Sequence, residues 1–223
     1  MKRSIISVVL IVLLSGCSLL SLFDPERDSE NDGPLLTTIN DIRNGNVDVE
    51  SEITIEDAVI TSLIGNGIRY FFVQDMLNSE NAGILVFKNS ADSLSLVVGD
   101  KVTITGVYKE YNGQSEIVID SVNCITQTGT SALPEVQDIS SCDVNEYEQY
   151  EGMLVEMYSV EVTSVDSSNK VFELNSKILV DDMMYSPTPL PTIGTQINQI
   201  VGILHYAYGA YRIEPRKAAD IIM

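Results

Sequence analysis

From Glu52 onward the chain is written in short apolar runs broken by Gly, Asn, Ser and Asp. The runs ITIEDAVITSLI, IRYFFVQD, AGILVF, KVTITGVYKE and QSEIVIDSV either alternate apolar with polar residues or are brief and β-branched, which predicts five strands. Between the third and fourth, SADSLSLVV suits a short helix or a loop leading into Gly99. After SALPEVQDISSCDVNEYEQ the scheme returns as MLVEMYSVEVTSV, KVFELN, KILVDD, QINQIVGIL and AYRIEP. Here DDMMYSPTPLPTIG, with three prolines and no helical period, stands in the place of SADSLSLVV and predicts a loop.

The two copies share a glycine skeleton. Gly99, Gly106 and Gly113 in the first answer to Gly194, Gly202 and Gly209 in the second, with seven residues from Gly99 to Gly106 and eight from Gly194 to Gly202. A small closed sheet must bend its long strands sharply, and glycine or a bulge provides the bend, which fits Gly106 and Gly202. Asn112-Gly113 fits a two-residue hairpin that needs positive φ. No glycine pattern of a phosphate-binding loop follows a strand. The pattern therefore predicts an all-β chain of two tandem five-stranded barrels, over 51–128 and 135–223. Residues 17–50, acidic and polar, predict a tether and lead-in segment with little periodicity.

The start, MKRSIISVVLIVLLSGCS, sets two basic residues before an apolar run too short to span a bilayer, the layout of an export signal over 1–16. Leu14-Ser15-Gly16-Cys17 resembles the lipobox of bacterial lipoproteins, which implies cleavage before Cys17 and acylation, palmitate included, of its thiol and new N-terminus. Two or three acyl chains would anchor the protein stably in a membrane. Ser18, where an aspartate resembles an inner-membrane retention signal, turns the expectation toward the outer membrane, with inner-membrane anchoring left open.

Charge narrows the partners. The chain holds 13 basic and 32 acidic residues, and without Lys2 and Arg3 its net charge is −21. Both halves share the imbalance, with 6 basic against 18 acidic residues over 17–134 and 5 against 14 over 135–223. Such a surface repels phosphate backbones, so nucleic acid is an unfavoured partner. Cys124 and Cys142, in an export context that permits disulfides, are read either as one bridge across the junction or as two buried thiols.

The strings YFFVQD, AGILVF, GDKVTITGVYKEYNGQSEI, YEGMLVEM and IVGIL-YAYGAYRIEPRKAADI resemble the YhcR-like group of OB-like domains, found in secreted bacterial proteins beside extracellular nucleases. The resemblance covers about residues 50–223. It implies two OB-like barrels acting as accessory binding or structural modules, with nuclease chemistry on a separate domain.

Candidate chemistry is sparse. His205 has no second histidine for a relay or a metal, and reads as an outward surface position on its strand. Asp181-Asp182 are adjacent rather than spaced on one face, and no calcium-loop spacing occurs, so no metal site, cofactor or catalytic residue is expected. The better lead is aromatic. Tyr108 and Tyr111 flank the first hairpin, and Tyr206, Tyr208 and Tyr211 the second; each ring can cap a core or stack on a ligand. Met183, Met184 and Tyr185, on the proline-rich loop, are candidate partner contacts. Arg212, Arg216 and Lys217 form a small basic spot, expected to pair with local acids. Together these features lead us to expect a non-enzymatic lipoprotein that binds another envelope or extracellular protein, with nucleic-acid or glycan binding as alternatives.

Overall fold

The computed structural model describes residues 33–64 and 69–223; the export signal, Cys17 and most of the tether lie outside the described residues. The described chain runs β1 (Leu35–Thr37), α1 (Ile39–Arg43), β2 (Glu52–Ile64), β3 (Tyr70–Gln74), β4 (Gly83–Lys88), β5 (Asp100–Tyr111), β6 (Gln114–Ile119) and β7 (Ile125–Thr130). A second series follows with β8 (Gln137–Asp138), β9 (Leu154–Asp166), β10 (Val171–Leu174), β11 (Ile178–Val180), β12 (Gln196–Ala207), β13 (Ala210–Glu214) and β14 (Ile221–Ile222).

The alternation in the sequence becomes two closed sheets. In the first, β2-β3-β4-β6-β5 returns to β2, with β4 and β6 parallel and the other pairs antiparallel. In the second, β9-β10-β11-β13-β12 returns to β9, with β11 and β13 parallel. The protein is all-β, with two five-stranded OB-like barrels in tandem. The long strands bend where glycine was expected. A Cβ on Gly106 would lie 2.7 Å from the Val118 carbonyl oxygen, and one on Gly202 2.6 Å from that of Glu214, so only glycine lets each strand cross its neighbour so closely.

The lead-in is not a mere spacer. Residues 35–43 form β1, parallel to β2, and then the single turn α1, whose N-cap Thr38 accepts from the Asp41 amide at 3.0 Å. Ile39, Ile42 and Val47 are buried in the first barrel's core with Ile53, Phe71, Val86 and Ile104. Five residues of helix are too few to show a helical period, which is why the sequence pattern missed it. Residues 89–98 take the loop alternative: Lys88 is buried and donates to the carbonyls of Ser90 and Asp92, tying the loop down, and Leu94 and Leu96 lean on the core.

Candidate functional site

Strand parity decides which side chains leave each barrel. On β4 and β6, Ile84, Val86, Ile117 and Ile119 enter the first core, so Leu85, Phe87, Gln114 and Glu116 point outward. On β11 and β13, Ile178, Val180 and Ile213 enter the second core, leaving Leu179, Arg212 and Glu214 outward. Each barrel thus presents the outer face of its parallel strand pair, and these faces line one cleft of about 1540 Å³. Tyr70, Tyr111, Tyr206 and Tyr208 add rings, and Asp166, Glu173 and Asp182 add carboxylates. Beside the cleft, Ile64, Phe72, Leu85, Leu154 and Ile203 make a third apolar cluster that belongs to both barrels.

A polar chain crosses the wall. His205 Nδ1 lies 3.0 Å from Glu214 Oε1, and His205 Nε2 lies 3.2 Å from Gln114 Oε1, so the ring bridges the barrels. Burial pushes the Glu214 carboxyl upward while His205 pulls it down. Arg212 donates to Asp181, and its guanidinium sits 5.3 Å from the centre of the Tyr208 ring, within cation–π range. Glu116, only 8 % exposed, has no hydrogen bond or ion pair among the described residues. Burial raises its carboxyl too, with Lys109 opposing. Gln114 Nε2 and Arg212 Nε are buried donors without a protein acceptor.

A second network clasps the barrels together. Arg43 at the end of α1 donates through Nη1 to Ser115 Oγ (2.6 Å) and Glu151 Oε1 (2.9 Å), and through Nη2 to the carbonyl and Oε1 of Glu148 (2.8 and 2.6 Å). Tyr211 of the second barrel donates to Glu148 Oε2 at 2.6 Å, and the Ser115 amide of the first donates to Glu151 Oε1 at 3.1 Å. Burial pushes Glu151 up to about 7 even though Arg43 draws it down, and Glu148 and Glu110 add to the rise. Nearby, Gly83 and Gly152 pack backbone to backbone: a Cβ on Gly83 would stand 2.2 Å from the Gly152 carbonyl carbon. Gln74 Oε1 accepts from the buried Leu154 amide at 3.0 Å. Residues Pro34–Met223 accordingly form one compact unit.

The structure sorts the residues singled out from sequence. Tyr111, Tyr206 and Tyr208 reach the cleft. Tyr206 covers Gly113 and packs on Tyr211 with ring centres 4.9 Å apart, so the two echoing hairpins meet. Tyr108 is instead buried in the first core with its hydroxyl donating to Glu110 at 2.6 Å, and Tyr211 belongs to the clasp. Met183 and Met184 pack against the shared apolar cluster rather than standing free, although Met183 also touches the cleft. Tyr185 is half-buried and outside the cleft wall.

Two expectations need correction. His205 does point out of its barrel, but it is only 7 % exposed, because the other barrel covers it. Cys124 and Cys142 are free thiols rather than a bridge: each is held by its own barrel's core, Cys124 beside Ser121 and Cys142 beside Tyr150. The basic spot is dispersed, with Arg212 on Asp181 and Arg216 on Asp220. Gln114, Glu116, Arg43 and Glu151 carried no signal, since their roles exist only once the barrels dock.

No family model matches the chain. The chain does resemble a curated protein, the endonuclease YhcR of Bacillus subtilis (strain 168). The two are 28 % identical over 201 residues, covering 82 % of this chain and 16 % of YhcR. The chain therefore spans about a sixth of that protein's length. Among solved structures, the p204 HINb domain aligns over 74 % of this chain and 93 % of its own at 11 % identity, with a TM-score of 0.31. The YhcR match and the paired barrels bear out the resemblance to YhcR-like OB domains.

Proposed function

We propose that this chain is a non-enzymatic binding module, held on the outer membrane by a lipid on Cys17, that seats a segment of an envelope or extracellular protein between its barrels. The observation that carries this reading is Tyr208. It occupies the hairpin position that Asn112 fills in the first barrel, at the same φ of 53°, yet it is a bulky residue, 93 % exposed, on the rim of the cleft. Asparagine suits that conformation; a tyrosine there costs on the order of 1 kcal/mol, a strain characteristic of contact sites. The neighbouring His205 and Arg212 are engaged in pairs with Glu214 and Asp181, which supports holding over chemistry.

The match to an endonuclease favours a second reading, an accessory nucleic-acid-binding module. Against it stand the acidic cleft wall and the overall charge of −19.

The test is cross-linking in the native cell. Tyr208 and, in a separate strain, the 90 %-exposed Leu77 outside the cleft are replaced with p-benzoylphenylalanine. Irradiation should give a discrete protein adduct at position 208 and none at 77. Absence of an adduct at 208, the same adduct at both positions, or an adduct containing nucleic acid or glycan would overturn the proposal.

A further inference from the structure

We infer that the occupant of the cleft is an extended peptide segment bearing lysine or arginine, whose cation is received by Glu116; this rests on the reading of the cleft as a partner site. Glu116 is nine-tenths buried, points outward from β6 into the cleft and lacks a partner among the described residues. Its carboxylate oxygens keep contact with the water of the cleft, where an arriving cation would pair with them. The cations nearby are engaged: Arg212 is taken by Asp181, His205 by Glu214, Lys170 by Asp182, and Lys109, which faces Glu116 across the strand pair, by Glu50, while Asp166 and Glu173 add negative charge along the walls. The raised carboxyl of Glu116 fits a group awaiting its counter-ion.

Size points to a polymer. A space of about 1540 Å³ exceeds the roughly 300–1,000 Å³ of small-molecule pockets. In the same wall, Gln114 Nε2 and Arg212 Nε lack acceptors but are sealed from the cleft, so an occupant meets Glu116 and the rings instead. Rings at Tyr70, Tyr111 and Tyr208 give faces for the aliphatic stems and charged heads of lysine or arginine. A phosphodiester chain would set its charges against the carboxylates, and a neutral glycan would leave Glu116 uncompensated.

The experiment is a fluorescence anisotropy titration of the full chain in detergent at physiological salt. The probe is a fluorescein-labelled nonapeptide of alternating lysine and serine; competitors are the glutamate–serine peptide, single-stranded DNA and chitohexaose. The lysine peptide should bind and the competitors should not displace it. Glu116→Gln should weaken binding by about tenfold or more, tenfold being the low end for one close charge pair. Moving the same kind of charge loss outside the cleft, with Asp48→Asn and Glu52→Gln together, should change it less than twofold. Tyr208→Ala, which cannot unmake a core, should weaken it by roughly threefold. No binding, equal loss from the cleft and outside variants, or displacement by DNA or chitohexaose would overturn the inference. If position 208 still cross-links a protein while the lysine peptide fails, the basic segment is wrong and the partner site stands; if both fail, both fall.

Discussion

Glu151 makes the stability of the docked barrels depend on pH. Its carboxyl is pushed from 4.5 to about 7 in the folded chain, chiefly by burial. At about 1.4 kcal/mol per unit, the folded state favours the protonated form by about 3 kcal/mol. Because the folded value is the raised one, this contribution is complete below pH 4.5, the ordinary value to which the unfolded chain returns, and is lost as pH climbs through about 7. Glu151→Gln keeps the acceptor for Arg43 and the Ser115 amide but cannot ionise. Urea midpoints of both proteins between pH 4.5 and 8 isolate the effect, since other titrating groups cancel in the difference. The parent should lose about 3 kcal/mol relative to Glu151→Gln across that window, a relative midpoint shift of about 1.5 M if the urea slope is about 2 kcal/mol per M. A flat difference, or a parent that gains on the variant as pH rises, would show that the Arg43 ion pair outweighs burial and that Glu151 is ionised in the fold.

Three further outcomes are expected. Gly83→Ala would drive a methyl into the Gly152 backbone, so it should cost at least about 2 kcal/mol in thermal or urea unfolding, whereas Gly129→Ala, with open space around it, should cost far less. Protein denatured without reductant should take up two maleimide labels on Cys124 and Cys142 by peptide mass spectrometry, and unlabelled bridged peptides would contradict the free thiols. Cys17→Ser should leave the membrane fraction or stay unprocessed, and normal processing and fractionation would refute lipid anchoring.

The barrels were legible in the sequence because β5 alternates buried and half-buried positions along most of its length and the bends demand glycine. What escaped was the docking, although a physical trace of it was present. YFFV on β3 and GILV on β4 are continuous apolar runs, and the structure buries both faces of these strands, one against their own core and one against the other barrel. Read as two-faced, they would have announced a second body. Of the site, the rings at Tyr111, Tyr206 and Tyr208 were visible as a cluster at the hairpins. Glu116 and Gln114 were not, because on an isolated barrel an outward glutamate or glutamine is an ordinary solvated residue. Arg43 escaped for a similar reason: its carboxylate acceptors come from the other side of the junction, 105 and 108 positions away in the chain.

The seam of Gly83 on Gly152, with Arg43 buried beside it at 2 % side-chain exposure, turns two barrels into a pair of fixed jaws. Jaws held in this way would not adapt to the proposed partner, so the cleft would gauge it by thickness before any charge is matched. The ordering that a hinged clamp would undergo on each capture has already taken place during folding, and binding of the proposed segment would be spared that loss of entropy. Encounter would then need no closing step, and the lifetime of such a complex would rest on how readily the segment withdraws.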